Sequence, residues 1–355
     1  MIYIYHGIVR AIRMSNLSTN DTAHISPAHR KLPPATAHWR LATGYWRLET
    51  GYWRLATEVN LLTPSSWRDY ALLDSGDGEK LERFGQYVLI RPEPQAIWPK
   101  VLPESQWSGL SHARFVREQK DKFRFNDEVK GGWSRHGKMP ESWEIGYQYG
   151  DLSIFLRLAL TGFGHVGIFP EQGSNWNFIY DTIRSWKFAN PRVLNLFAYT
   201  GAASVVAKSC GADVVHVDAS RPGINWAKQN MQLNGLADIS WVHEDALKFV
   251  RREVRRGNKY QGIIMDPPPY GRGPEGEKWT LQEKLNELVE NASRLLDESN
   301  SFFVLSMYAV GLSAIVGSNV VRSHFSISDA EYGEFCLPSE TGRDLPMGTF
   351  MRFRR

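Results

Sequence analysis

The 355-residue chain is 42% hydrophobic, enough to bury a large core and to build two domains with an extension. Its net charge of +4 resides in residues 1–58, which hold 7 Lys and Arg against 3 Asp and Glu; the remainder carries 35 of each sign, which excludes a uniformly polybasic protein and leaves any attraction to phosphate to local patches. No run of eighteen apolar residues occurs, the arginines of "MIYIYHGIVRAIRM" lie on the wrong side for a secretion signal, and Cys210 and Cys336 stand far apart outside any C-x-x-C; neither a disulfide framework nor a zinc site is supported, and a cytoplasmic protein is expected.

The first feature along the chain is a tandem repeat, "WRLATGY", "WRLETGY", "WRLATEV", running from Trp39 to Val59. Its Thr-Gly pairs and lack of a second apolar stripe make it a poor coiled coil. Residues 14–38, rich in Ser, Thr, Asn, His and Pro, have the composition of a disordered leader. Residues 1–58 are therefore expected to be a disordered or dispensable tail, upstream of the true start.

Residues 59–164 show short alternating stretches, "YALLDSG", "QYVLIRP" and "WEIGYQYG", broken by Gly and Pro. They predict a small, mostly antiparallel β region. Trp98, Trp107, Trp133 and Trp143 interleave there with "KDKFRF" and "KGGWSRHGK", a mixture suited to stacking on bases and pairing with phosphates. The same aromatics are also ordinary strand residues.

Residues 165–355 alternate strands with helices, as a parallel sheet requires. "RVLNLFAY", "DVVHVDA", "DISWVHEDA", "YQGIIMDPPPY" and "SFFVLSMYA" read as successive strands. Between them, "TGAASVVAKSCG" closes on Gly211, "RPGINWAKQNMQLNG" is capped by Ser220, and "LQEKLNELVENASRLL" carries Leu281, Leu285, Leu288, Ala292 and Leu295 on one face. "SHFSISDAEYGEFCLP" and "GTFMRFRR" read as a terminal hairpin.

In open α/β sheets ligands bind beyond the carboxyl ends of the strands, where strand order reverses. Four successive strand ends carry candidates: Ala198 to Gly201, where a glycine lets a ligand approach the backbone; Asp218, placed to accept ribose hydroxyls; Glu244 and Asp245, suited to an adenine amine; and Asp266. The turn "AYTGAAS" has one glycine and lacks the several that cradle a pyrophosphate, which points to an adenosine ligand without phosphates rather than NAD or FAD. In "GIIMDPPPYGRG" the prolines end the strand at Asp266 and form a stiff loop without amide donors, expected to turn carbonyl acceptors toward a ligand.

The segments "VLNLFAYTGAAS", "HVDASRPGINWAKQNMQLNGL", "HEDALKFV" and "IIMDPPPYGRG", in this order, resemble class I S-adenosylmethionine-dependent methyltransferases. More narrowly they are similar to the 23S rRNA methyltransferase group, with D-P-P-x-[FY] after the fourth strand; "GIFPEQGSNW" resembles that group's G-x-F-x-D-Q-R-x-N-R. The resemblance implies a Rossmann-like sheet of seven strands, the last antiparallel, preceded by a small antiparallel β-rich domain. It implies S-adenosyl-L-methionine as cofactor, RNA (rRNA) as partner and no metal. Cofactor-binding residues would be Gln172, Asn195, Phe197, Tyr199, Thr200 and Gly201, then Asp218 with Ala219 and Ser220, then Asp245 with Ala246. Catalytic residues would be Asp266, Pro267, Pro268 and Tyr270, the last offering a face to a flipped base.

Three departures shape the expected chemistry. Ser306 stands after the fifth strand's apolar run, where cytosine-5 enzymes carry a cysteine, and a serine hydroxyl cannot attack a pyrimidine as a thiolate does. Pro269 separates Tyr270 from the Asp-Pro-Pro sequence, and Glu171 and Gly173 replace the aspartate and arginine of D-Q-R. Direct methyl transfer to RNA, without a cysteine nucleophile, is the leading expectation. A methyltransferase of a small molecule or protein and a catalytically inactive RNA-binding module stand beside it. The acceptor atom and the oligomeric state stay open.

Overall fold

The computed structural model describes residues 46–48, 51–53, 59–64, 66–117, 131–308 and 311–355. Strands β1 (Trp46–Leu48) and β2 (Gly51–Trp53) form an antiparallel pair in which Trp46 and Trp53, the first residues of the second and third repeat copies, stand opposite each other. The rest of residues 1–58, "KDKFRF" and Lys130 of "KGGWSRHGK" lie outside the described residues. Ala56–Arg355 forms one compact unit.

An eight-stranded sheet organises that unit. Its strands are β3 (Asn60–Leu62), β11 (Arg192–Leu196), β12 (Asp213–Asp218), β13 (Ser240–His243), β14 (Gly262–Met265), β17 (Phe302–Met307), β18 (Glu331–Leu337) and β19 (Leu345–Arg354), in the order β13-β12-β11-β14-β17-β19-β18-β3. The five from β13 to β17 are parallel, and β19 runs antiparallel to both neighbours. The family resemblance implies seven strands. The eighth is Asn60–Leu62, which pairs parallel to β18; the close approach requires Gly333, since a Cβ there would meet the Asn60 carbonyl oxygen at 1.8 Å. Strands β14 and β17, "GIIM" and "FFVLSM", are buried at every position, the continuous apolar pattern of a sheet covered on both faces.

Helix α1 (Glu104–Leu110) belongs to the β-rich region. Helices α2 (Gly173–Ser185), α3 (Ala202–Ser209), α4 (Arg221–Leu233), α5 (Ala246–Arg256), α6 (Leu281–Leu295) and α7 (Ala314–His324) accompany the main sheet. Local sequence explains most boundaries: Ser220 Oγ accepts from Gly223 N–H at 3.1 Å, Asp245 Oδ1 accepts from Lys248 N–H at 2.9 Å, and Gly257 ends α5 at φ 69°. The expected apolar stripe of α6 is fully buried. Helix α7 has no counterpart in the sequence reading. Its "AIVGSNVVRSH" is rich in β-branched residues and holds Gly317, a poor intrinsic helix former that forms by burying Ala314, Gly317, Ser318 and Val321. The terminal hairpin accordingly begins at Glu331 rather than Ser323.

The β-rich region contains β4 (Tyr70–Gly76), β5 (Glu79–Phe84), β6 (Tyr87–Pro92), β7 (Ala113–Arg117) and β8 (Gly131–Arg135) in sequential order, antiparallel except for β6 and β7. A second hairpin pairs β9 (Ser142–Tyr149) with β10 (Leu152–Ala159), and one apolar core runs from these strands to α2, α3 and the main sheet, across the boundary expected at residue 164. The tryptophans of this region are tied into the fold. Trp107 and Trp143 are buried, Trp98 and Trp133 pack against the core, and the Trp98, Trp107 and Trp133 ring N–H groups donate to Ser75 O, Asp74 Oδ2 and Thr161 O.

Candidate active site

Strand order reverses between β11 and β14, so their carboxyl ends flank the crevice where this architecture takes ligands. Beyond β11 the backbone enters the left-handed region three times, at Phe197 (φ 57°), Tyr199 (φ 46°) and Gly201 (φ 79°). Non-glycine residues there signal a turn held by its surroundings. Thr200 Oγ1 donates to the Gly167 carbonyl at 2.5 Å, and Asn230 Nδ2 donates to the Thr200 carbonyl at 2.8 Å. Gly201 is required on packing grounds as well, because a Cβ would sit 2.8 Å from Ala227 Cβ.

This turn delivers the Tyr199 N–H to Asp218 Oδ2 at 2.7 Å, while the Ser220 N–H reaches Asp218 Oδ1 at 2.6 Å. Both carboxylate oxygens are thus fixed by backbone, and each keeps a lone pair for a hydroxyl. Burial raises the Asp218 pKa, opposed by these two donors and by His243. The Ala219 carbonyl lies 3.0 Å from His243 Nε2, and Asp245 and Ala246 open α5 beside the next strand end. Asn195 is set apart from this group: its amide donates to Ser204 Oγ at 2.9 Å under α3.

On the other side of the crevice Asp266 leaves β14. Gln172 Nε2 donates to its Oδ2 at 3.2 Å, and Gln172 Oε1 accepts from Asn175 Nδ2 at 2.9 Å and from Ser306 Oγ at 3.2 Å. Arg352 braces this network by donating to Asn175 Oδ1 and to the Ser174 carbonyl. Burial pushes the Asp266 carboxyl up to about 6. The proline loop is turned differently from the expectation: the Pro268 carbonyl accepts from Trp279 Nε1 at 2.7 Å and the Pro269 carbonyl from Leu281 N–H at 2.9 Å. The first holds the loop to the hairpin of β15 (Tyr270–Arg272) with β16 (Lys278–Thr280) and the second to the start of α6, so neither carbonyl is turned toward a ligand; Pro267 is buried. Trp279 also packs on Phe197, ring centres 4.8 Å apart, joining the two walls; Tyr270 lies on β15 with 40% of its surface exposed.

Sequence reasoning missed a buried ionic lattice under Gln172. Glu171 is 4% exposed and its Oε2 has no hydrogen-bond partner. Burial, reinforced by the charges of Asp266 and Glu82 and opposed by Lys80, raises its carboxyl to about 7. Close by, Lys80 pairs with Glu93 at 3.1 Å, Arg91 pairs with Glu82 at 2.7 Å, and Tyr70 donates to Glu82 at 2.9 Å, all of these side chains being buried. The available signal was the strand sequences "EKLERF" and "YVLIRPE", whose Lys80, Glu82, Arg91 and Glu93 are buried.

The arrangement fits an adenosine cofactor without phosphates: a strand-end carboxylate held by two N–H groups, a single-glycine turn, and a second carboxylate across the crevice. The comparisons agree. A family model described as S-adenosylmethionine-dependent methyltransferase matches residues 113–300. The ribosomal RNA large subunit methyltransferase K/L of Shewanella frigidimarina is 35% identical over 144 residues, 39% of this chain, and methyltransferase I of Salmonella arizonae is 35% identical over 126 residues, 35% of this chain. The chain spans only 19% and 27% of the length of these curated relatives. A solved S-adenosylmethionine-dependent methyltransferase from Agrobacterium tumefaciens is 34% identical, with a TM-score of 0.74 over 83% of this chain and 93% of that one. With a family model covering more than half of its residues and these strand-end acids in place, the chain belongs to the S-adenosylmethionine-dependent methyltransferases.

Proposed function

We propose that this protein methylates RNA, with rRNA of the large subunit as the leading substrate, by direct transfer in the cytoplasm. The cofactor, when bound, supplies a methyl group on a sulfonium. Asp218 with Ala219 and Ser220 would hold its ribose, Asp245 and Ala246 its adenine, and Gln172 with the Phe197–Gly201 turn its methionine end. Asp266 and Pro267 would border the reacting centre, with Tyr270 at the rim. Asp266, held by Gln172, would orient the acceptor nucleophile, a nitrogen or carbon atom, and offset the positive charge that develops as it takes the methyl group. Residues 59–164 would contribute the RNA-facing surface, on which Arg135, His136 and Lys138 are exposed at the end of β8.

The observation that carries direct transfer is the side chain near the end of β17. Ser306 Oγ is committed to Gln172 and Asn175, and neither cysteine of the chain is near it in the fold order: Cys210 ends α3 and Cys336 lies in β18, burial raising both thiols to about 11. A thiolate nucleophile has no source. Trapping with 5-fluoropyrimidine RNA tests this. The double variant Cys210→Ser/Cys336→Ser is expected to stay active without a covalent adduct; an adduct lost in a cysteine variant together with activity would restore a covalent mechanism. A protein or small-molecule acceptor is the second reading, favoured by the even charge balance beyond residue 58.

A further inference from the structure

Strands β14 and β17 pair in parallel register with Met265 beside Leu305, so Asp266 and Ser306 are neighbours at the rim of the sheet. The chain beyond Ser306 then passes through Met307 to Tyr308, whose ring borders a cleft shared by the β-rich region, the end of β17 and the β18–β19 hairpin. Its walls include Gln95, Leu312, Glu334, Pro346 and Thr349. We propose that this cleft receives the planar base that accepts the methyl group, with Tyr308 as its stacking face; the proposal rests on the reading of the protein as an RNA methyltransferase.

Four observations converge on it. Tyr308 is 39% exposed yet anchored, because its hydroxyl donates to Glu93 Oε1 at 3.2 Å. An anchored aromatic face offers a stacking surface at little entropic cost. Glu93 is itself fixed by Lys80, so the buried lattice of the β-rich region sets the ring's position. Second, Thr349 is 6% exposed and its Oγ1 has no hydrogen-bond partner, a buried hydroxyl at the cleft wall that a base edge would satisfy. Third, Gly348 (φ 105°) brings β19 against the end of β17: a Cβ there would lie 2.7 Å from the Met307 carbonyl oxygen and 3.3 Å from Tyr308 Cα. Fourth, Gln95 Nε2 donates to the Pro346 carbonyl at 3.2 Å, closing the cleft between the β-rich region and the hairpin.

The neighbouring groups keep Tyr308 a neutral donor: burial raises its phenol, and the Glu93 and Glu171 carboxylates raise it further. The cleft is therefore lined by a protonated phenol, a carboxylate, an amide and a hydroxyl around one aromatic face, chemistry that recognises a heterocycle carrying both donors and acceptors. Tyr270, the aromatic singled out by the Asp-Pro-Pro motif, lies four residues past Asp266 on the β15–β16 hairpin, whereas Tyr308 lies two residues past the neighbour of Asp266.

The test uses the full-length protein with large-subunit rRNA transcribed in vitro, measuring S-adenosylhomocysteine affinity, KM and kcat for RNA, and the peptide photo-crosslinked by 4-thiouridine RNA. Tyr308→Leu is expected to raise KM for RNA by about thirty-fold, the loss of one base stack, with cofactor affinity unchanged. Tyr308→Phe is expected to stay within about threefold and Thr349→Val to raise KM several-fold, since one loses a tether and the other a hydrogen bond. Crosslinks are expected on the Tyr308 peptide. RNA that is bound and methylated normally by folded Tyr308→Leu or Thr349→Val, or that crosslinks to the Tyr270 peptide instead, overturns the cleft while leaving the RNA reading intact. Wild-type protein that binds S-adenosylhomocysteine but neither crosslinks nor methylates the RNA overturns both.

Discussion

Replacing Glu171 by glutamine should stabilise the protein above neutral pH and lose that advantage in acid. A carboxyl whose pKa is higher in the folded than in the unfolded chain binds its proton more tightly when folded. Its contribution to stability is full below about 4.5 and is lost as pH rises through about 7. The rise from 4.5 to about 7 corresponds to roughly 3 kcal/mol of unfavourable ionisation in the folded state. The introduced amide would lie where Oε2 now has no partner, costing about 1 kcal/mol, so a net gain of about 2 kcal/mol is expected at pH 8.5. For a compact unit of this size that is about 3 °C in Tm. Thermal melts of the wild-type protein and Glu171→Gln at pH 5 and pH 8.5 decide the matter. Equal differences at the two pH values, or a variant less stable at pH 8.5, would refute the picture of Glu171 as a buried, uncompensated carboxylate.

Asp266→Asn should retain cofactor affinity and lower kcat, and the fall of wild-type turnover as pH drops through about 6 should vanish from its pH–rate profile. Asp218→Ala should weaken S-adenosylhomocysteine binding by about 1–3 kcal/mol in calorimetry, since two hydroxyls lose a charged acceptor; unchanged affinity would place the ribose elsewhere. Gly201→Ala forces a Cβ against Ala227 at a left-handed φ and should lower stability by about 1–3 kcal/mol in denaturant titration.

The sheet was legible because strands such as β14 are unbroken apolar runs and because caps such as Ser220 mark where helices begin. The strand-end acids were legible because a parallel sheet places every such residue on one rim. What stayed hidden depends on contacts between distant segments. Asn60–Leu62 becomes a strand only through its pairing with β18, and α7 exists against its own propensities because it covers the sheet. The aromatic and basic stretches of the β-rich region suggested an open RNA platform, yet Trp107 turned inward on α1, a helix within a region read as strands, and Trp143 turned inward on β9, since strand periodicity alone does not say which face is buried. Likewise the ionic lattice joining Lys80, Glu82, Arg91 and Glu93 beside Glu171 requires strand pairings and a turn far along the chain.

The central claim is methyl transfer from S-adenosylmethionine to RNA at the crevice between β11 and β14. The most direct test supplies tritiated S-adenosylmethionine and in vitro transcribed large-subunit rRNA to the wild-type protein and to Asp266→Asn, with protein and small-molecule fractions as alternative acceptors. Stable label at one nucleotide, sharply reduced in the variant, is the predicted result; label confined to another acceptor, or undiminished by Asp266→Asn, would contradict it.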